Sequence, residues 1–503
     1  MPILSLHMSS VAKSLNALTF DNSYTRLPSH FYQKVAQTPL QDAHLISFNG
    51  DVAETLGLDR RHINPEELPR YCGGGGALEA GESIAMKYAG HQFGHYNPEL
   101  GDGRGLLLGE VVTTENRRLD LHLKGAGRTA YSRFGDGRAV LRSSIREYLV
   151  SAAMSGLGIA STSALCLVGS EEYTMRNGME PCAMVLRVTP CHIRFGHFEH
   201  FYYLGQHDDL KLLADYCLER YFPGLQEMDN PYLAMFNEIR DRTADLVAQW
   251  QSYGFVHGVM NTDNMSIIGE TFDYGPFTFL DSYDPNFISN KNDTAGRYAF
   301  KQQPGIALWN LSALAQALLP LIPLEDLKSA LDGFAERYSA AFYGKMAQRL
   351  GFSATTQGTQ DGEQRRLIDQ LLSLFTSHYT DMNRFMRALS HYDGSESSLA
   401  FMSDLSCDSR AFANWKSEYR KQVDASTTSV PDRTLAMQQV NPEYILRNYM
   451  LEEAIREAHQ GDYLLVQNLL RIVKNPFNAQ PGAERYAEAP PDWAGGICLT
   501  CSS

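Results

Sequence analysis

The sequence predicts an α+β fold in which a strand-rich first part is followed by a larger helical part. Between residues 84 and 190, short apolar runs alternate with Gly-rich turns, a pattern typical of strands. After about residue 205 the segments are longer and repeat apolar residues at helical spacing. A chain of 503 residues is long enough to bury a large core and to contain several domains.

The strand-rich part contains one predicted helix, over Leu141–Met154. Ile145, Leu149 and Ala152 form its apolar stripe. Strands are predicted on either side of this helix, at Leu106–Val112, Leu119–Leu123 and Ala183–Val188.

Helices predominate in the second part. They are predicted at Asp208–Phe222, Asn230–Tyr253, Ala307–Leu321, Leu324–Leu350, Gln364–His391 and Pro442–Gln460. Pro190 and the stretch Gly196–Gly205 are expected to link the two parts. The Gly-rich segment Tyr71–Gly76 predicts a flexible loop. The tail from Asn478 contains several Pro and Gly and is expected to be weakly ordered.

Composition and charge exclude several classes of function. A net charge of −14 predicts repulsion of nucleic acid and of anionic membranes. Residues 101–200 nevertheless carry a slight excess of Lys and Arg, which suits a bound anion. There is no apolar run long enough for a membrane span, and Met1–Ser14 lacks the pattern of a secretory signal. Eight Cys do not form a disulfide framework and indicate reduced thiols in the cytoplasm.

The segment His257–Asn264 has the spacing of the protein-kinase catalytic loop H-R-D-x-x-x-x-N. Val259 occupies the position of the catalytic Asp, and a carboxylate reappears at Asp263, beside Asn264. Asp273-Tyr274-Gly275 then follows, at the place of the kinase DFG motif. Together with the order of strands and helices, this predicts a bilobal, kinase-like fold. Its nucleotide site would do something other than ordinary γ-phosphoryl transfer.

Three turns share the pattern Gly-x-Gly-Arg: Gly101–Arg104, Gly125–Arg128 and Gly135–Arg138. Gly allows close approach of backbone N–H groups to an anion, and Arg adds a planar fork that matches phosphate oxygens. The alternative is that these segments are hairpin turns of a small sheet.

Further charged residues fit a phosphate site. Lys124 ends a predicted strand and Glu147 lies in the predicted helix, the arrangement by which kinases grip the α- and β-phosphates. The alternative is an unrelated surface Lys and Glu. Arg187 and Arg194 lie among apolar residues, so each must face a partner or a cleft.

These residues resemble those of the selenoprotein O family, kinase-like proteins described as protein adenylyltransferases. The similar segments extend from about residue 15 to the C-terminus: Gly90–Gly94, Gly101–Gly105, Leu123–Gly127, Ser144–Glu147, His192–Phe198, His257–Asn264, Asp273–Pro276 and Asn441–Ala458. The resemblance implies a nucleotide bound in the inverted orientation. AMP would be transferred from ATP to Ser, Thr or Tyr hydroxyls of proteins, and pyrophosphate would leave.

The resemblance also implies roles for single residues. Asp263 is the expected proton acceptor, and Asn264 and Asp273 are the expected Mg²⁺ ligands. The expected nucleotide contacts, with Glu147 as the partner of Lys124, are Gly101, Gly103, Arg104, Lys124, Asp136, Gly137, Arg187, Arg194 and Asp273. Four segments are expected: an N-terminal extension (1–83), a nucleotide-binding lobe (84–195), a helical lobe (196–477) and a tail (478–503).

Cys498 and Cys501 near the C-terminus form a C-x-x-C pair, which indicates a dithiol switch or two inert thiols. The resemblance implies that some relatives bridge this tail to a Cys near the active site, but this chain has Ser289 at that place. A local Cys498–Cys501 pair is therefore favoured.

Three alternatives to adenylyl transfer stay open. The chain could use Asp263 as the displaced base of an ordinary kinase, or it could be a non-catalytic nucleotide-binding scaffold, as Val259 would suggest. It could also use UTP, because contacts to phosphates and metal do not read the base. Mn²⁺ could also replace Mg²⁺, because the sequence does not distinguish the two metals.

Overall fold

A computed structural model describes residues 12–176, 178–352, 359–405, 410–426 and 428–500. Eight antiparallel strands form its main sheet: β1 (Tyr32–Lys34), β2 (His44–Phe48), β3 (Ile84–Met86), β6 (Gly105–Val112), β7 (Arg118–Lys124), β8 (Ala139–Val140), β9 (Ser163–Met175) and β10 (Met179–Thr189). Their order is β1-β3-β6-β7-β10-β9-β2, and β8 pairs with β10. Two two-stranded antiparallel sheets pair β4 (Gly90–Gln92) with β5 (His95–Asn97) and β11 (Phe255–Val256) with β12 (Thr278–Phe279).

The helices lie mainly after the sheet. They are α1 (Gly50–Thr55), α2 (Glu67–Cys72), α3 (Leu141–Gly156), α4 (Phe195–Tyr203), α5 (His207–Tyr221), α6 (Pro231–Tyr253), α7 (Gln303–Ala317), α8 (Leu324–Arg349), α9 (Thr359–His378), α10 (Met382–Leu389), α11 (Phe401–Asp404), α12 (Arg410–Asp424), α13 (Val430–Gln438), α14 (Asn448–Ala458) and α15 (Leu464–Lys474). The chain thus has the mixed α/β composition and the order of strands and helices that the sequence predicts. Among the described residues, none of these helices is both long and apolar enough to cross a membrane.

The main sheet is covered on both faces. One face packs against α3, where Ile145 and Leu149 are fully buried, and this core continues into the helical part as far as Trp250. The other face is covered by the N-terminal residues, which bury Leu15 and Leu68. Burial on both faces explains why β6 and the inner parts of β9 and β10 are mostly apolar, whereas β7 alternates apolar residues with the buried Asp120, His122 and Lys124.

Three predicted helices differ in extent from those observed. The predicted helix Ala307–Leu321 is displaced by one turn, since α7 begins at Gln303 and ends at Ala317. The predicted helix Gln364–His391 is interrupted after His378, because Tyr379 has a left-handed backbone (φ 51°). The side chain of Asp381 then begins α10 by accepting a hydrogen bond from the amide of Arg384 at 3.1 Å. The helix predicted from Pro442 begins only at Asn448.

The stretch Gly196–Gly205, which is predicted to link the two parts, is mostly helix α4. Phe195, Phe198 and Phe201 point one face of α4 into the core and are buried. Their three-residue spacing is the sequence signal of this helix. The predicted loop Tyr71–Gly76 was wrong at its start, since α2 includes Cys72.

The tail is packed against the protein up to Thr500, so the expectation of weak order was wrong there. Ala483, Tyr486 and Ala494 are buried. Leu499 pairs with Asn290 in a parallel bridge, and its carbonyl accepts a hydrogen bond from the amide of Lys291 at 2.9 Å. Burial of a few scattered apolar residues, which carry no periodic signal, holds this segment in place.

Candidate active site

A cavity of about 520 Å³ lies between the Gly-rich turns and the loops that follow α6. Its lining includes every residue predicted to contact nucleotide, metal or the transferred proton: Gly101, Gly103, Arg104, Lys124, Asp136, Gly137, Arg187, Arg194, Asp263, Asn264 and Asp273. Glu147 bonds to Lys124 from behind the cavity wall. Residues that are far apart in the sequence therefore converge on one space, while their individual roles stay predictions.

The Gly-x-Gly-Arg turns pack against one another at one end of this cavity. The amide of Gly127 donates to the carbonyl of Gly137 at 3.1 Å. A Cβ on Gly137 (φ 76°) would lie 2.1 Å from the carbonyl carbon of Gly127, and one on Gly101 (φ 147°) would lie 2.5 Å from the ring of Tyr131. Only glycine fits at these two positions, and the backbone is thereby brought close to the cavity.

The arginines that end these turns are not equivalent. Arg104 is exposed to the cavity and, within the described part of the chain, forms no ion pair. Arg138 is buried, pairs with Glu172 at 2.7 Å and donates to the carbonyl of Thr38. Arg138 therefore has its charge compensated within the protein although it lines the cavity, whereas Arg104 remains available to an anion.

Asp136 is held by an arginine that the sequence reasoning missed. Both oxygens of Asp136 accept hydrogen bonds from Arg176 at 2.8 Å, and Thr174 and the amide of Arg138 donate to the same carboxylate. Burial opposes ionisation, but the hydrogen bonds from Arg176, Thr174 and the amide of Arg138 together outweigh it and hold the pKa of Asp136 well below its usual range. Asp136 is thus an ionised residue that also fixes Arg176 in the cavity wall.

A buried ion-pair network joins β7, α3 and β10. Lys124 and Arg187 both donate to the carboxylate of Glu147. Arg187 also bonds to Asp273 at 2.6 Å, and Arg194 donates to the second oxygen of Asp273. Alternating positive and negative groups reduce the cost of burying these charges, although they do not remove it.

The network changes the pKa values of its members. Burial alone would raise the pKa of Glu147, but Arg187 and Lys124 outweigh it and lower this pKa to about 2. Burial lowers the pKa of Lys124 to about 8, although Glu147 opposes this change. Arg194 and Arg187 likewise overcome burial and hold the pKa of Asp273 well below its usual range.

The loop His257–Asn264 is fixed by hydrogen bonds from the helical part. His257 Nδ1 accepts from the amide of Val259 at 3.3 Å, so Nε2 carries the proton and donates to the carbonyl of Phe272 at 3.1 Å. Asn310 on α7 donates to the carbonyl of Met260 at 3.0 Å. Val259 itself lines the cavity and has no group that could accept a proton.

Asp263, in the same loop, is a buried carboxylate that could accept a proton in place of Val259. It is only 7% exposed, and its Oδ2 accepts a hydrogen bond from Gln92 at 3.1 Å. Its Oδ1 has no hydrogen-bond partner among the described residues. Burial raises the pKa of Asp263 to about 7, with Arg194 and Gln92 opposing the rise.

Gln92 was not predicted to have a role. It lies in the hairpin of β4 and β5, which reaches the loop His257–Asn264 because the amide of His91 donates to Thr262 Oγ1 at 2.7 Å. The sequence of Gly90–Gly94 resembles the family but predicts no role for a single residue. No local pattern could show that its glutamine meets Asp263, since the two residues are 171 positions apart.

The chemistry of the cavity fits a divalent metal of the magnesium type. The amide nitrogen of Asn264 donates to the carbonyl of Val259 at 3.0 Å, which leaves the side-chain oxygen as its remaining polar atom. Asp273 supplies carboxylate oxygens from a left-handed backbone (φ 56°). Within the described residues there is no cluster of three or more His, Cys, Asp or Glu that could hold a metal. Two oxygen ligands suit Mg²⁺, which completes its shell with water and phosphate oxygens.

The two cysteines of the tail lie apart from this site. Cys498 is exposed, has a free thiol and lines a different cavity, described below, and Cys501 lies outside the described residues. The Asn290–Leu499 bridge brings the tail next to Ser289 without a disulfide. A Cys498–Cys501 pair remains a prediction.

Comparison with known proteins agrees with this geometry. A family model described as "Protein adenylyltransferase SelO" matches residues 14–474, so the chain belongs to the SelO family, as its motifs predict. A protein from Hahella chejuensis named protein nucleotidyltransferase YdiU is 86% identical over 496 residues, which covers 99% of this chain and 100% of that protein. Proteins of the same name from Vibrio cholerae and Pseudomonas paraeruginosa are 48% and 46% identical, over 97% and 98% of this chain and 99% and 100% of their own.

Proposed function

We propose that this chain transfers AMP from ATP to Ser, Thr or Tyr hydroxyls of other proteins and releases pyrophosphate. One observation carries the proposal: the buried carboxylate of Asp263, with one free oxygen, shares a cavity with a set of fixed cations. The names of the family and of its relatives, protein adenylyltransferase and protein nucleotidyltransferase, support the same reaction.

The proposed architecture is a bilobal, kinase-like fold. Residues 84–195 would form the nucleotide-binding lobe and residues 196–477 the helical lobe, with an N-terminal extension (1–83) packed on this core and a tail (478–503). The nucleotide would lie between the lobes, because the cavity is lined both by the turns of the first lobe and by the loops of the second.

The cations would hold the triphosphate. Lys124, Arg187 and Arg194 are already fixed by Glu147 and Asp273, so little reorganisation is needed when phosphate arrives. The exposed Arg104 and the backbone of Gly101, Gly103 and Gly137, next to Asp136, would complete the nucleotide contacts. In the inverted orientation these cations would stabilise the charge on the leaving pyrophosphate.

Asp263 would remove the proton from the acceptor hydroxyl at its free Oδ1 while Gln92 holds Oδ2. Mg²⁺, or Mn²⁺ in its place, would be held by Asn264 and Asp273, would polarise the phosphates and would favour the ionised form of Asp263. The site would therefore supply a base, cations for the leaving group and a place for metal. ATP is the proposed nucleotide, and UTP is the alternative. A cytoplasmic location stays a prediction.

Labelled ATP tests the reaction directly. The full chain is incubated with a protein acceptor and with ATP labelled at the α- or at the γ-phosphate. Adenylyl transfer puts only the α-label into protein and releases labelled pyrophosphate from the γ-labelled ATP. Transfer of the γ-label would show an ordinary kinase, and absence of both labels would favour a nucleotide-binding scaffold.

The Asp263→Ala variant tests the base. We expect it to lose α-label transfer but to bind ATP as the unaltered chain does, because the cations stay in place. Asp332→Ala, at an exposed position, is the matched control and should keep full activity. Full transfer by Asp263→Ala would exclude Asp263 as the base.

A further inference from the structure

A second cavity lies on the outer side of α3, away from the nucleotide site. It has a volume of about 410 Å³ and is enclosed by α3, α14 and the C-terminal tail. Its lining contains three arginines and one acidic residue: Arg142, Arg146 and Arg456, and Glu452. Trp493 and residues 496–499 of the tail complete the described lining.

Arg146 is the residue that distinguishes this cavity. Its guanidinium is 3% exposed, donates to the carbonyl of Phe277 at 2.7 Å and lies 4.4 Å from the centre of the Phe277 ring. Its bond to Asn448 is long at 3.3 Å, and its buried Nε has no partner within the described residues. In that part of the chain Arg146 forms no ion pair.

The acidic groups near Arg146 are engaged elsewhere. Glu180 pairs with Arg142 at 3.0 Å, and Glu452 accepts a hydrogen bond from Arg456 Nε, also at 3.0 Å. Burial and the repulsion by Arg142 lower the pKa of Arg146 to about 9, although the charge of Glu452 opposes this change. A buried guanidinium without a carboxylate is costly, and an anion in the cavity would offset that cost.

We propose that this cavity binds a small molecule through a phosphate group, held by Arg142 and Arg146 beneath the tail. Guanidinium forks match the oxygens of phosphate, and the volume leaves room for a body larger than phosphate against Trp493 and Ile455. The site is separate from the nucleotide cavity and does not depend on the proposed reaction. Because α3 carries both Arg146 and Glu147, an anion here would brace the helix that holds Lys124.

Fluorine NMR of the full chain, labelled with 5-fluorotryptophan, tests this site locally. The chain contains four tryptophans, and Trp493→Phe identifies the signal of the one in the cavity. Inorganic phosphate is the probe, and sodium chloride of equal ionic strength is the control. We expect a saturable shift of the Trp493 signal with phosphate and none with chloride.

Two variants decide whether the arginines cause that shift. Arg146→Met and, in case it folds poorly, Arg142→Gln should each raise the phosphate concentration at half-saturation at least tenfold. Lys124→Met, in the nucleotide cavity, should leave it unchanged. A Trp493 signal that does not saturate, or that responds equally in the arginine variants, would overturn the proposal. Since no nucleotide is present, either result is independent of AMP transfer.

Discussion

The two cavities on either side of α3 treat buried positive charge in opposite ways. In the nucleotide cavity, Lys124 and Arg187 share Glu147, one residue after Arg146 on the same helix. Arg146 itself has no carboxylate partner among the described residues. The protein thus supplies its own counter-charge where cations must be positioned before a substrate arrives. On the other side of the helix, Arg142 and Arg456 pair with Glu180 and Glu452, and only for Arg146 would the counter-charge come from the proposed ligand.

Among the changes considered, removal of the Glu147 carboxylate should have the largest effect on stability. Glu147→Gln leaves Lys124 and Arg187 buried with less negative charge, so we expect the free energy of unfolding to fall by about 3–5 kcal/mol. Urea denaturation measures it. Glu325→Gln, which removes the exposed partner of Lys328, should cost less than about 1 kcal/mol. A loss below 1 kcal/mol for Glu147→Gln would contradict the importance of the network.

The same carboxylate predicts a pH dependence of stability. The pKa of Glu147 is lower in the folded protein, about 2, than its ordinary value of 4.5. Its stabilising contribution is therefore complete above pH 4.5 and is lost as the pH falls towards 2, by about 3 kcal/mol in all. Unfolding free energies of the unaltered chain and of Glu147→Gln, compared between pH 6 and pH 3, should converge. Parallel curves would show that Glu147 does not titrate in this way.

The two carboxylates of the nucleotide cavity differ in the groups that hydrogen-bond to them, and a substitution of Gln92 tests this difference. Asp273 is held by two arginines, whereas Asp263 Oδ2 is held by the neutral Gln92. Gln92→Leu should lower kcat for AMP transfer about tenfold, the loss of one positioning hydrogen bond, with KM for ATP unchanged.

His95→Ala, directly across the hairpin from Gln92 and exposed, is the control and should change neither constant. If Gln92→Leu raised KM for ATP and left kcat unaltered, Gln92 would act on the nucleotide instead of on Asp263.

The smallest effect is expected on the other side of α3. Arg146→Met removes the bond to the carbonyl of Phe277, but it also removes a buried charge that lacks a carboxylate. The two changes oppose each other, so we expect a loss of only about 1–2 kcal/mol in the absence of phosphate. Calorimetric unfolding checks this value. A loss as large as that of Glu147→Gln would mean that Arg146 has a counter-charge within the protein.

Much of the site was predictable because its chemistry leaves local patterns. The loop His257–Asn264 with Val259 in place of the Asp, and the Gly-x-Gly turns, were visible as short segments of fixed spacing. The central strands and most helices were predictable too, since burial on one or two faces imposes a period on the sequence. The limits of elements were less predictable: Tyr379 divides a continuous helical pattern through one left-handed residue.

The chemical groups of this protein, and the short segments in which they lie, can be read from the chain alone, because residue types and spacings are local. Which of these groups meet depends on the folded structure. It brought Gln92 to Asp263, gave Arg176 to Asp136, engaged Arg138 in a structural ion pair and packed the tail beside Arg146. Each of these contacts depends on the packing of segments that are far apart in the sequence, and on charges that are left uncompensated when those segments are buried together. Neither factor produces a periodic pattern of residues in the sequence.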